Sequence, residues 1–426
     1  MIKKIYFEDY KGFAETELNI ENITTLIGTN AAGKTNAIEG MMVLSELVSG
    51  RDLSTILDGT KNSEPIVRGG AKGCCRFGAN SFGLGCTVYF DENTDLEYRI
   101  KIFVGDRVML LQESLFELKH SQTDQNASRK EMFSTKESDR QSGNIAVSYN
   151  NGKKGRNPDI ICIRFAAVIA QVAVKLPQER QYGRKIVQYA NTVIDALKDI
   201  LYLNPATSKM RGYASINDID LKVDASNISA VLNNLCKDPA NKEKLLGIIR
   251  QLPENEIIDI RFMDGPLNDI ILALKEKSGD KDEEIDATRL SDGTLRCLAI
   301  VAAALGERLG GMVVIEEIDN GIHPGRAKAL ISLISSIART RKVDVLFTTH
   351  NAVVLNGLSL EDLNGVQVLY RDVDSGDGRF VPLVEIQRIP ELLANGRLGD
   401  VFSNGKILEY IKKNRRDESN YSWLGV

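Results

Sequence analysis

No two cysteines in this sequence form a C-x-x-C pair, and the six present (Cys74, Cys75, Cys86, Cys162, Cys236 and Cys297) have no histidine partners. Neither a zinc site nor a disulfide framework is therefore expected, and the six read as small buried hydrophobes. No apolar run approaches the roughly 20 residues that a membrane span requires. The first ten residues alternate like a strand and lack the apolar core and small-residue cleavage site of a signal peptide, so a cytoplasmic protein with no membrane partner is expected. Basic charge is not in excess either: 54 Lys and Arg face 58 Asp and Glu, for a net charge of -4. That balance argues against a surface that clamps nucleic acid over its whole extent and leaves room for a local basic patch.

What is present is a chain of 426 residues, 43% hydrophobic, longer than the roughly 250–300 residues one core supports, so two lobes are expected. Alternation marks residues 2–8 and 14–28 as strands, and Thr35 to Val48 carries Ile38, Met41, Met42, Leu44 and Leu47 at near-helical spacing. Short strands follow at 84–90, 96–104 and 107–111, an antiparallel pattern. Residues 120–144 have few large apolar side chains and read as a mobile surface loop or hairpin rather than core. Helical periodicity governs 159–203 and 226–251. After strands at 256–263 and 268–276 and a charged loop at 277–284, a helix starts near Ser291. Apolar strands at 311–315 and 344–349 then alternate with a helix at 326–340, which implies a parallel sheet covered on both faces. The expected division is 1–158, the N-terminal part of the head with its antiparallel β lobe; 159–255, a helical insertion; and 256–426, the C-terminal part.

Between the second strand and the first helix lies IGTNAAGKTN, which fits G-x-x-x-x-G-K-[ST]. Gly28 and Gly33 let the backbone wrap a phosphate across Thr29, Asn30, Ala31, Ala32 and Asn36; Lys34 meets the terminal phosphates, and the Thr35 hydroxyl ligates Mg2+. Hydrolysis needs a carboxylate strand as well, and MVVIEEID supplies it: Glu316 as the magnesium carboxylate and Glu317 as the general base. His350 follows a further apolar strand, VDVLFTT, and would emerge at the same sheet edge, where a neutral imidazole can hydrogen-bond the γ-phosphate or the attacking water. His323 belongs to the turn after the carboxylate strand and His120 to the surface. Ser291-Asp292-Gly293-Thr294 opens a helix whose first-turn N–H groups form an anion site, or is an ordinary N-cap.

In this order the four elements resemble the ABC-type ATPases, and more narrowly their RecF-like and SMC-like AAA-21 branch, over nearly the whole chain. The resemblance implies an α/β P-loop NTPase fold of ABC type with a mainly parallel core sheet, an antiparallel β lobe and a helical insertion. It implies ATP and Mg2+ as cofactors, with Lys11 of DYKGF near the α-phosphate. Leu290 to Thr294 stands where transporters carry LSGGQ, so Ser291, Asp292, Gly293 and Thr294 would touch ATP held by a second subunit. Asp319 and Asn320 begin the dimer-contacting D-loop. Glu316 replaces the usual Asp, and Thr294 the usual Gln. Similar compact ATPases occur in bacterial antiviral defence, in Septu (the PtuA subunit), PARIS and the OLD and Rlo-type systems, usually beside a nuclease. A homodimer or an oligomer of dimers is thus expected, regulating a separate HNH or Toprim-like nuclease effector. The alternative is a RecF-like repair ATPase that binds DNA. The 76 residues after His350 include Asp372-Val-Asp374 but are too few for a Toprim fold, so no intrinsic nuclease is expected. Lys153, Lys154 and Arg156, then Arg180, Arg184 and Lys185, and the C-terminal KKNRR are basic runs read as solvated surface or as a patch for DNA.

Overall fold

The computed structural model describes all residues except 30–31, 61–63, 121–127, 138, 140, 178–179, 251–255, 279–280, 387–388, 390, 392–395, 408 and 412–426. It divides into two compact units, one of Met1–Ile20, Thr29–Ile200 and Leu369–Phe380, the other of Glu21–Gly28, Leu201–Val368 and Val381–Val426. The stretch 159–255, expected as one helical insertion, is split between them after Ile200.

An eight-stranded sheet forms the first unit. Its spatial order is Phe13–Asn19, Ile2–Tyr10, Ser81–Asp91, Thr94–Val104, Val108–Lys119, Ser128–Thr135, Asn144–Tyr149 and Asp159–Ile163, and every pairing is antiparallel. Helices Lys34–Leu47 and Gln181–Lys198 pack on it, the second burying Ile186, Tyr189, Ala190, Val193 and Leu197 along one face, as a 3.6-residue period requires. The segment expected as a mobile surface loop or hairpin, outside the core, at 120–144 contains the strand Ser128–Thr135, paired antiparallel with Val108–Lys119. Two adjacent side chains, Met132 and Phe133, are fully buried there, and that is enough to seat an otherwise polar strand in a sheet; residues 121–127 of the same segment lie outside the described residues.

The strand read as 14–28 is two strands. Phe13–Asn19 is antiparallel in the first unit, whereas Ile23–Gly28 is parallel in the second, and the chain turns between them where Thr24 Oγ1 accepts from the Glu21 N–H at 2.9 Å. The second unit's buried core is built from helices Ile228–Leu235, Pro239–Ile249, Asp292–Gly306 and Pro324–Arg341. The mainly parallel sheet runs in the order Ile200–Leu203, Met312–Ile315, Asp344–Thr348, Ile23–Gly28, Val366–Arg371 and Gly378–Pro382. A smaller antiparallel sheet joins Ala214–Ser215, Asp269–Ser278 and Glu256–Asp264, with Lys281–Asp286 paired to Asp269–Ser278. That last strand replaces the second half of the charged loop expected at 277–284; the Lys275–Asp282 ion pair at 2.6 Å stabilises the pairing across the two strands. Among the described residues no helix is long and apolar enough to cross a membrane. Cys74, Cys86, Cys162 and Cys297 are buried, Cys75 and Cys236 partly so, and all six are free thiols.

One buried carboxylate ties sheet to helix in the first unit. Glu113, 1% exposed, accepts from the N–H groups of Val168 and Ile169, both at 2.6 Å, and from the Tyr98 hydroxyl at 3.0 Å. It thereby caps helix Val168–Lys175, whose own N-cap, Ala167, has no side chain to do so. Burial pushes its pKa from 4.5 to about 7 against those hydrogen bonds. The folded state thus holds a proton between these values that the unfolded chain has lost, so this group's contribution to stability falls as pH rises through that window. Glu113→Gln should flatten that dependence. Thermal unfolding of wild type and variant from pH 4.5 to 8 is expected to give a melting-temperature difference that moves in favour of the variant as pH rises; parallel curves would show that Glu113 does not titrate there.

Candidate functional site

Three buried parallel strands in the second unit end side by side. Ile315 is opposite Phe347, and Thr348 is opposite Leu26, so Glu316–Glu317, Thr349–His350 and Gly28 all leave the sheet at its carboxyl edge. This is the edge at which open α/β sheets bind ligands. The strands are buried throughout, whereas Glu316, Glu317, Asn320 and His350 are exposed.

Glu317 has φ 49°, a left-handed conformation that costs an L-residue about 1–2 kcal/mol. Neighbouring groups hold it there. Its N–H donates to Thr348 Oγ1 at 2.8 Å, the Ile318 N–H donates to the Thr348 carbonyl at 3.1 Å, and its own carbonyl accepts from Asn320 N–H at 2.9 Å. The Thr349 hydroxyl donates to the Asp319 carboxylate at 2.7 Å and accepts from the Asn351 N–H at 3.0 Å. Thr348 and Thr349 are 1% and 0% exposed. Neither threonine is a chemistry-bearing residue by type, and sequence reasoning passed over both. His323 caps helix Pro324–Arg341, accepting from the Gly325 N–H at 3.2 Å. His120 pairs on the surface with Asp95 at 2.7 Å.

In the first unit the phosphate loop leads into helix Lys34–Leu47. Gly33, at φ 114°, is its N-cap, and a Cβ there would lie 3.3 Å from the Phe13 ring. Glycine is thus required for conformation and space alike. Lys34, 8% exposed, donates to the Thr29 carbonyl at 3.2 Å. Ala32 N–H also donates to that carbonyl at 3.2 Å. The Thr35 side chain is exposed and Asn36 is half-buried; Asn30 and Ala31 lie outside the described residues. Lys11 occupies a two-residue turn at φ 49°, between Tyr10 and Phe13, both completely buried. Its ammonium pairs with Glu39 of the same helix, a partner that sequence reasoning missed.

The Ser291–Thr294 segment forms its own constellation in the second unit. Ser291 is the N-cap of Asp292–Gly306, and its Oγ accepts from the Thr294 N–H at 3.2 Å. Arg211 braces the approach to it. The guanidinium donates to the carbonyls of Thr288 at 2.9 Å and Leu290 at 2.6 Å, and to the Asp292 carboxylate at 2.7 Å. The Arg211 hydrogen bond holds Asp292 below its usual carboxylate pKa. Nothing in KMRGY signals this role, because Arg211 precedes its partners by some 80 residues of sequence. Gly293 also has a close neighbour: a Cβ there would be 2.8 Å from the Gly321 carbonyl, so the first turn of this helix packs against the turn that follows Asp319–Asn320.

Among the described residues no three His, Cys, Asp or Glu side chains gather as a cation site. The Thr35 hydroxyl and Glu316 carboxylate are hard oxygen donors, the chemistry that suits Mg2+, which takes one or two protein ligands and completes its shell with water and phosphate. If Arg211 organises the signature segment, Arg211→Ala should speed backbone hydrogen exchange across 287–295 at least about tenfold, the loss of roughly 1.5–3 kcal/mol expected for a charged hydrogen bond. Exchange in Met312–Ile315 should stay unchanged. Unaltered protection in 287–295 would exclude the bracing role.

The family profile described as "AAA domain, putative AbiEii toxin, Type IV TA system" matches residues 23–356. No curated protein matches. Among solved structures, the chain is similar to an SMC head bound to the C-winged helix domain of ScpA, with 13% identity, 89% of this chain and 97% of that chain covered, and a TM-score of 0.47. It is also similar to the SMC head domain from Thermotoga maritima, with 14% identity, 89% and 98% covered and a TM-score of 0.39. The Smc head domain with an extended coiled coil from Pyrococcus furiosus, bound to the C-terminal domain of ScpA, gives 11% identity, 92% and 99% covered and a TM-score of 0.44.

Proposed function

The chain belongs to the AAA_21 family, whose profile spans most of its length, and from that premise we propose that it is an ATP-hydrolysing switch of ABC type. Two copies associate head to tail and control a separate effector, a nuclease of antiphage defence of the HNH or Toprim-like class. The observation that carries the reading is the register that sets Glu316–Glu317, Thr349–His350 and Gly28 at one sheet edge.

Each residue then has a task. The backbone amides of Gly28 to Asn36 and the Lys34 ammonium neutralise phosphate oxygens. Thr35 and Glu316 hold Mg2+, which when bound offsets phosphate charge. Glu317 accepts the proton of the attacking water, and its left-handed backbone fixes the direction from which it does so. His350 hydrogen-bonds the γ-phosphate or that water. Lys11 approaches the α-phosphate by exchanging Glu39 for a phosphate oxygen. Ser291, Asp292, Gly293 and Thr294 complete the site of the second copy, with Asp319 and Asn320 at the contact between copies. Removing Glu317's basicity leaves nucleotide binding intact and stops turnover, so the closed state accumulates.

Glu317→Gln with ATP and Mg2+ should therefore elute as a dimer that retains ATP, while Lys34→Ala should weaken ATP binding about 10- to 100-fold, the worth of one charge-assisted hydrogen bond network. An unchanged assembly together with no ATP retention in Glu317→Gln would overturn the composite site. For the effector, a neighbouring gene for a small nuclease supports the defence reading, and a replication and repair cluster opposes it.

A further inference from the structure

Two basic runs and Lys130, distant in sequence, meet on the first unit. The turn Asn151–Asn157 connects strands Asn144–Tyr149 and Asp159–Ile163 and carries Lys153, Lys154 and Arg156. It is anchored at its start: the Asn150 N–H donates to the Met132 carbonyl at 2.9 Å, and the Asn150 side chain to the Glu131 carbonyl at 3.1 Å. Gly152, at φ 71°, lies so close to Tyr182 that a Cβ would be 2.0 Å from its ring. The Lys130 ammonium lies 5.3 Å from the centroid of the same ring. Arg180 and Arg184 flank Tyr182 at the start of helix Gln181–Lys198. Tyr182 is thus the post around which Lys130, Lys153, Lys154, Arg156, Arg180 and Arg184 are gathered, and all six cations are exposed.

Among the described residues the carboxylates nearest them have other partners. Glu117, directly across the sheet from Lys130, is buried and takes the Lys185 ammonium and the Tyr189 hydroxyl. Glu131 accepts from Ser134 at 2.8 Å. Asp159 pairs with Lys136 at 2.6 Å and reaches Arg156 only at 4.0 Å. Among the described residues that long contact is the one ion pair any of the six makes. A chain of net charge -4 therefore places six exposed cations on one surface with a single long ion contact among the described residues, at a cost in self-repulsion.

We infer that this surface binds the phosphodiester backbone of nucleic acid. Phosphates are the ligand that matches several exposed cations spread over a turn and a neighbouring helix start. No residue of 150–158 or 180–185 is an exposed large apolar side chain, so the patch lacks the wedge that membrane insertion or an apolar peptide anchor would use. The surface lies wholly within the antiparallel unit, and the inference stands whether or not the nucleotide-switch reading holds.

The test uses the full chain and a fluorescein-labelled 25-base-pair duplex, followed by anisotropy from 50 to 300 mM salt. Binding should weaken with a log–log slope of roughly -4 to -5, since each neutralised phosphate contributes about -0.9. Lys153→Glu with Lys154→Glu and Arg156→Glu should lower affinity at least tenfold and flatten the slope by about 2–3, with the melting temperature unchanged because all three side chains stand in solvent. Lys281→Glu, on the other unit, should match wild type. Binding that the triple variant leaves intact would overturn the inference, as would the absence of any salt dependence. A protein that ignores the duplex but sediments with phosphatidylserine vesicles would overturn it in favour of a membrane surface.

Discussion

Thr348 and Thr349 are the constraint on which the carboxyl edge depends. They end a strand buried between two others, where a polar side chain is tolerated only if its hydrogen bonds are made. Thr348 uses its hydroxyl for the Glu317 N–H and its carbonyl for the Ile318 N–H; Thr349 uses its hydroxyl for Asp319 and its N–H for the Leu26 carbonyl at 3.4 Å. The carboxylate turn is thereby fastened to the central strand, and the central strand to the one that ends in Gly28. The left-handed strain at Glu317 persists because two hydrogen bonds from Thr348 over-determine the turn. A valine at 348 would fill the same space and leave the Glu317 N–H without its acceptor, which changes the backbone rather than the packing.

The antiparallel unit solves a different problem, which is to fix a lysine in a tight turn and a helix start beside it. Phe7 and Phe13 lie 5.0 Å apart, and Phe13 and Phe380 5.5 Å, an aromatic cluster whose buried area anchors the Lys11–Gly12 turn. Phe13 also presses on Gly33. The spacing of Tyr10, Lys11 and Phe13 therefore has a structural origin: two buried rings leave the intervening pair to form the turn, and Lys11 is carried on it to Glu39.

Much of this was legible in the sequence because the signals were dense. Met312–Ile315 is an uninterrupted apolar run and Asp344–Thr348 carries an apolar centre, Val345 to Phe347, and Ser291 precedes its helix as an N-cap should. Two kinds of feature were not legible. Lys281–Asp286 is a mostly polar strand stabilised by its partner strand, so no window of sequence contains the reason for it; in Ser128–Thr135 only Met132 and Phe133 mark an otherwise polar strand as partly core. Arg211, Glu39, Thr348 and Thr349 act on residues between 28 and 81 positions away or through hydroxyls that occur everywhere; only the fold shows which of them has a partner. The boundary between units fell inside a run, 14–28, whose alternation continues across the turn at Glu21.

The same close packing explains how the second unit can respond as one piece. Gly293 approaches the Gly321 carbonyl so closely that no side chain fits between them, and Arg211 clamps Asp292 to the carbonyls before it. Asp319, two residues before Gly321, is held by Thr349. A displacement of the helix that Ser291 caps cannot be absorbed at Gly293, because close-packed interiors transmit strain rather than absorb it. It must pass to the turn at Gly321, and from there through Asp319 and Thr349 to the strand that carries His350.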